Sequence, residues 1–242
     1  MSRWIYGKHA VLERLRLSGG GLEFVALAKG MKEADSNQVL KAAKDAKIPV
    51  QWHPRGWLND KTGSDKHQGV AASTGAFKYS ELIDLIEASK PDSTLIVLDG
   101  IEDPGNLGAI LRSAECAGAL GVVIPQDRSA QVTAFTEKAS AGAASIVPVA
   151  SVVNISRALE DLKKAGYWIY GLAGEAKESL YAQKFSGRVC IVMGGEGKGL
   201  RELVGKNCDV LLKIPMAGQV ESLNVSVAAG VALFEVLRQR GA

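Results

Sequence analysis

The stretch Val189-Cys190-Ile191-Val192-Met193-Gly194-Gly195-Glu196-Gly197-Lys198-Gly199-Leu200 joins an apolar run to a loop with four glycines among six residues. An unbroken apolar run bounded by turn formers reads as a buried strand, and glycines let backbone approach a ligand closely. Further runs of this kind occupy residues 95–98, 121–124, 146–149, 168–170 and 210–214. Helical patterns separate most of them. The expected fold class is therefore α/β, a mostly parallel sheet with helices on both faces.

A smaller α/β pattern precedes these runs. Residues 8–17 carry helical spacing, 22–27 an apolar run, 36–46 a second helix, and 50–52 and 69–72 two more strand-like pieces. The turn formers and charges of 59–66 read as an exposed loop. Residues 75–92, with one helical segment over 80–88, read as a linker between a domain at 1–74 and a domain at 93–242.

With 242 residues, 47% of them hydrophobic, the chain can bury two modest cores. A net charge of +3 permits an anionic partner without demanding one. Cys116, Cys190 and Cys208 are odd in number and lack paired-ligand spacing, which argues against a disulfide framework or a zinc site; no metal is expected. No apolar run is long enough to cross a bilayer, and none follows the basic residues at the amino end, so no membrane partner and a cytoplasmic location are expected.

Two nucleotide motifs fail at the glycine loop. A phosphate-binding loop needs glycine where Val192 stands and a hydroxyl where Gly199 stands; a dinucleotide fingerprint from Gly195 needs a small residue at Leu200. Two other segments carry polar candidates. In Leu98-Asp99-Gly100-Ile101-Glu102-Asp103-Pro104-Gly105-Asn106-Leu107-Gly108-Ala109-Ile110-Leu111-Arg112, Asn106 is the expected N-cap of a helix. Arg112 lies off its apolar face, and helical side chains lean toward the N-terminus, so Arg112 can reach toward residues 103–106. Taken alone, the segment reads as a capped helix with a solvated arginine. In Ile214-Pro215-Met216-Ala217-Gly218-Gln219-Val220-Glu221-Ser222-Leu223-Asn224-Val225, Ser222 is the expected N-cap of a helix running to about residue 239. That helix is apolar nearly all round, as for burial inside the domain or against another subunit. Taken singly, Ser222 and Asn224 read as a cap and a satisfied polar group.

The ordered words Asn106-Leu107-Gly108 with Arg112, Gly194 to Gly199, Ile214-Pro215-Met216 and Ser222-Leu223-Asn224-Val225 closely resemble the signature motifs of the SpoU, or TrmH, branch of the SPOUT methyltransferases. The resemblance covers the C-terminal domain. Tyr6-Gly7-Lys8-His9-Ala10-Val11 is similar to the start of the ribosomal-protein-like (L30e-like) RNA-binding domain that precedes it in one subgroup.

The resemblance implies a deep trefoil knot, which ordinary connection rules would exclude. It implies S-adenosylmethionine as methyl donor, held around Gly194, Gly195, Ile214, Met216 and Leu223, and a homodimer formed through the C-terminal domain. The implied reaction is methylation of a guanosine ribose 2'-hydroxyl in large-subunit (23S) ribosomal RNA. The alternatives are a transfer-RNA ribose, another ribosomal position, or a non-catalytic RNA-binding protein keeping the fold. The implied catalytic set is Arg112, with Asn106, Glu196, Ser222 and Asn224 placing the ribose and its phosphate. An arginine with an ordinary pKa above about 12 is a poor base, so Arg112 is expected either to have a strongly perturbed pKa or to bind phosphate and stabilise alkoxide charge. In the N-terminal domain, Arg3, Lys8, Arg14, Arg16 and Arg55 are the candidates for phosphate contacts, while Trp52, His53 and Trp57 either stack on bases or pack a core.

Overall fold

A computed structural model of the chain describes residues 3–16, 21–75, 77–197 and 199–241, without the side chain of Arg3. Leu17, where the first helix was expected to end, and Lys198 of the glycine loop lie outside the described residues. The chain divides into two compact units, Met1–Lys78 and Tyr79–Ala242.

The first unit runs β1 (Arg3–Tyr6), α1 (Lys8–Arg16), β2 (Phe24–Ala28), α2 (Glu33–Asp45), β3 (Val50–His53), α3 (Arg55–Thr62) and β4 (Val70–Gly75). Its sheet has the order β1-β4-β2-β3, with β4 antiparallel to both neighbours and β2 parallel to β3. Side chains alternate across a strand, so Ile5 joins the core of Val11, Leu15, Val25, Leu27 and Val39, while Trp4 and Tyr6 pack with Leu58 and Trp57 on the other face. The sequence reading missed β1. It also took 59–62 as loop, whereas these residues form the last turn of α3, which stops at Gly63 in the left-handed region (φ 64°).

The second unit runs α4 (Leu82–Glu87), β5 (Thr94–Asp99), α5 (Pro104–Cys116), β6 (Gly121–Pro125), α6 (Ala134–Ala139), β7 (Val149–Val152), α7 (Ile155–Lys164), β8 (Tyr167–Leu172), β9 (Glu178–Ser179), β10 (Arg188–Gly194), α8 (Glu202–Lys206), β11 (Val210–Lys213) and α9 (Val225–Gln239). The sheet order is β7-β6-β5-β10-β8-β11-β9, and every registered pair among the described residues is parallel. The expected α/β class with a mostly parallel sheet holds. β5 is buried at every position because helices cover both faces. Leu95 and Val97 point to the layer holding Leu85, Leu159 and Val204 of α4, α7 and α8. Ile96 and Leu98 point the other way. α5 packs against α6 and α9.

Three local readings need correction. The strand expected at 146–149 begins at Val149, after a 3-10 turn at Ala143–Ser145, because Pro148 has no N–H to donate to the ladder. The N-cap of α5 is Asp103, not Asn106: Asp103 is extended, its Oδ1 accepts the Asn106 N–H at 2.7 Å, and Pro104 follows with φ preset for the first helical position. The N-cap of α9 is Asn224, not Ser222.

β10 lies between β5 and β8, with Gly194 beside Asp99. Strands β5 to β7 are laid down toward one side of the sheet and later ones toward the other, and the loops after β5, β10 and β11 all leave the same edge. In open parallel sheets, this is where a crevice forms.

Candidate active site

Because Asp103 caps α5, the side chain of Asn106 is free to make tertiary contacts. Asn224 caps α9 with its Oδ1, which accepts from the Ser226 N–H at 2.9 Å and from Ser226 Oγ at 2.6 Å. That fixes the amide orientation, since Nδ2 must then point the other way. It donates to Asn106 Oδ1 at 3.0 Å and to Glu196 Oε1 at 3.4 Å, and Asn106 Nδ2 donates to the same Glu196 oxygen at 2.5 Å. Asn106, Glu196 and Asn224 thus form one directional chain of side-chain hydrogen bonds. They come from the first turn of α5, the glycine loop and the N-cap of α9, segments far apart in sequence. The Glu196 carboxylate faces residues at the N-termini of α5 and α9, where helix dipoles favour negative charge.

The glycine loop can hold Glu196 there only as glycine. A Cβ on Gly194 would fall on the Gly199 carbonyl group, and one on Gly195 would lie 2.6 Å from the Gly100 oxygen. The loop closes with Gly199 N–H donating to Gly195 O at 3.0 Å. Its far end is tied to β5 by Asp99, whose side chain is fully buried. Asp99 accepts from the Arg201 backbone N–H at 2.9 Å and from Arg201 Nε at 2.6 Å, with Nη2 also in contact. Between these parts lies a cleft of about 460 Å³ lined by Asp99, Glu102, Asp103, Asn106, Arg128, Glu196 and Arg201, among others.

Of the other expected site residues, Gly195 lines this cleft, whereas Arg112, Ile214, Met216, Ser222 and Leu223 do not. Arg112 is exposed on α5, about 9 Å along the helix axis from Asn106 and roughly 120° around it, and does not line the cleft. Ser222, Met216 and Leu223 are exposed and Ile214 is half-buried in the segment between β11 and α9. Asp99, Arg201 and Arg128 were not anticipated. The one signal for Asp99 is a carboxylate closing the apolar run 95–98.

Cys190 and Cys208 are poor nucleophiles. Burial pushes the Cys190 thiol well up, and burial raises Cys208 to about 12 despite nearby Lys163.

In the first unit, Lys8 pairs with Asp35 at 2.6 Å, Arg14 is engaged, Arg16 and Arg55 are exposed, and the Arg3 side chain lies outside the described residues. Trp57 packs: it stacks on His53 at 3.7 Å and meets Trp4 edge-on at 5.3 Å. Trp52 is 43% exposed. Residues 1–78 hold thirteen Lys and Arg against seven Asp and Glu, and residues 79–242 hold sixteen against nineteen. The modest overall charge therefore hides a basic first unit and a slightly acidic second one.

Residues 93–234 match the SpoU rRNA Methylase family, and residues 4–80 match a domain described as RNA 2'-O ribose methyltransferase substrate binding. The chain is 46% identical over 242 residues to the 23S rRNA (guanosine-2'-O-)-methyltransferase RlmB of Xanthomonas campestris pv. campestris, covering 99% of this chain and 97% of that protein. Against RlmB of Escherichia coli K12 it is 43% identical over 243 residues, covering 99% and 100%. It is similar in structure to an AdoMet-bound rRNA methyltransferase from Sinorhizobium meliloti, with TM-score 0.80, 25% identity and coverage of 98% and 87%. The SpoU methyltransferase AviRb from Streptomyces viridochromogenes has a like fold, with TM-score 0.82, 20% identity and coverage of 99% and 90%.

Proposed function

Since the chain belongs to the SpoU rRNA methylase family, we propose that it methylates the ribose 2'-hydroxyl of a guanosine in 23S ribosomal RNA, with S-adenosylmethionine as the methyl donor. The observation that carries this reading is the hydrogen-bonded chain of Asn106, Glu196 and Asn224, formed by three motifs that are separate in sequence.

The residues present fit the cofactor. Gly194 and Gly195 end the strand half-buried and let the loop fold closely onto Gly199 and Gly100, and Ile214, Met216 and Leu223 supply apolar surface for an adenosine. S-adenosylmethionine supplies an electrophilic sulfonium methyl, so the chain's own task is to align one hydroxyl and ease its loss of a proton. Glu196 Oε1 accepts from both asparagines, while Oε2 has no donor among the described residues, which supports assigning it the ribose hydroxyl proton. The N-termini of α5 and α9 favour the developing alkoxide. Arg112, on the exposed face of α5 outside the cleft, is assigned to bind an RNA phosphate, and Ser222 to help seat the ribose. Replacing Arg112 with alanine should abolish transfer from labelled S-adenosylmethionine to ribosomal RNA while sparing cofactor affinity. Normal turnover would remove the assignment.

The segments after β10 and β11 and before α9 are assigned to a trefoil knot. The first unit is assigned an L30e-like fold and the recognition of ribosomal RNA, supported by its basic charge and by exposed Arg16, Arg55 and Trp52. Homodimerisation is assigned to α9, where Val227, Val231 and Phe234 form a stripe at helical spacing and Val227 and Phe234 are about half exposed. Phe234→Glu should yield monomers by light scattering. The substrate is tested by mapping ribose methylation by mass spectrometry in cells lacking the protein: loss at one 23S guanosine is expected, and an unchanged map would refute the reading.

A further inference from the structure

Arg128 holds an unusual position beside the cleft. It adopts φ 54°, in the left-handed region where non-glycine residues are disfavoured. Its neighbours over-determine that conformation. The Ala130 N–H donates to the Ile101 carbonyl at 2.7 Å, and Ser129 Oγ donates to the same oxygen at 3.2 Å. Gln131 Nε2 lies 3.2 Å from the Pro125 and Gln126 carbonyls, and its Oε1 accepts from the Tyr79 hydroxyl at 3.0 Å. A backbone held this firmly in a disfavoured conformation fixes where its side chain starts.

The charges around it narrow the ligand. Arg201 is committed to Asp99. Arg128 lines the cleft with no hydrogen bond or ion pair to any described residue, facing a lining that includes Glu102, Asp103 and Glu196. A phosphate would meet more carboxylate than guanidinium there. A neutral base presenting both donors and acceptors suits such a mixture. Among the bases, guanine presents two adjacent acceptors, O6 and N7, that match the two-pronged donor of an arginine, while its N1–H and N2–H groups suit carboxylates. Adenine keeps N7 but places an amino group where O6 would be, so one prong of the guanidinium then faces a donor.

We propose that Arg128 is a specificity residue that reads the O6 and N7 edge of the target guanine. The inference rests on the guanosine 2'-O-methylation reading. Its test uses the full-length enzyme, labelled S-adenosylmethionine and a 23S RNA fragment containing the guanosine that the wild-type enzyme methylates. Versions of the fragment carry guanosine, 7-deazaguanosine or adenosine at that position. A good bidentate contact discriminates by about tenfold to a hundredfold, so the wild-type enzyme should prefer guanosine to adenosine by that order and lose part of its rate on 7-deazaguanosine. Arg128→Gly removes the side chain and accepts the left-handed backbone without strain, so it should melt no earlier than wild type. It should treat the three RNAs nearly alike, and Arg128→Lys should recover only part of the preference. A glycine variant that keeps the full preference for guanosine would overturn the inference and leave the reaction intact. So would an equal loss on all three RNAs with a shallower salt dependence, which marks a phosphate contact. A wild-type enzyme that methylates no guanosine removes both.

Discussion

Asp99→Asn changes one charge at a fully buried side chain while keeping its shape. In the native protein, the carboxylate takes the Arg201 backbone N–H on one oxygen and the guanidinium on the other. Asparagine can keep the first of these bonds, but its amino group then faces the Arg201 N–H groups, donor against donor. Hydrogen bonds to charged groups contribute about 1.5–3 kcal/mol each. Arg201 is 55% exposed and regains water when released, so we discount the guanidinium bonds to about 1–2 kcal/mol together. The stranded amide adds about 1 kcal/mol. The expected loss is about 2–3 kcal/mol, or roughly a 1 M fall in urea midpoint. Because the contact anchors the glycine loop, affinity for S-adenosylmethionine should fall with it. Arg201→Ala should show the same two effects, and the double variant should lose less than the sum of the single losses. Urea unfolding followed by circular dichroism, with cofactor binding measured in parallel, gives both readouts. A variant within about 0.5 kcal/mol of wild type and with unchanged cofactor affinity would refute the anchoring role.

Gly108→Ala should cost about 1–3 kcal/mol by overpacking α5 against α6, because the added Cβ would lie 2.8 Å from the Thr136 oxygen; a neutral melting curve would show that the two helices separate freely. Hydrogen bonds from Arg238, then from Gln239, hold the Glu235 carboxyl at about 2, below its ordinary 4.5. A lowered folded-state value stabilises fully above the ordinary one, so this contribution is lost as pH falls from 4.5 toward 2. Glu235→Gln should therefore differ most from wild type above that window and least below it, and a constant difference by acid titration would contradict the pairing. Cys116 is exposed while Cys190 and Cys208 are raised by burial. A thiol reagent at pH 8 should label one cysteine per native chain and three after unfolding; fast labelling of two or more in the native state would contradict this packing.

The second unit was legible in the sequence because strands buried on both faces leave unbroken apolar runs such as residues 95–98. β1 and β9 were not, being short strands at sheet edges where little burial marks them. Asn106 and Ser222 are good capping residues, yet neighbours took both roles. Asp103 is followed by a proline suited to the first helical turn, and Asn224 also bonds Asn106, 118 residues away. The grouping of Asn106, Glu196 and Asn224 was readable only as a family pattern. Asp99 left only the signal of a carboxylate ending an apolar run, and Arg201 and the strained Arg128 left none, because their meaning depends on partners placed by the fold.

The cap of α9 ties completion of the site to the order of the final helix. Asn224 orients Asn106 only while its own oxygen holds the first turn of the helix. A chain whose sheet has formed but whose final helix still frays therefore has Glu196 in place and no ordered partner chain beside it. Contacts of such sequence separation close slowly. Activity should thus appear after most of the secondary structure during refolding, with the carboxyl-terminal helix timing the onset of function.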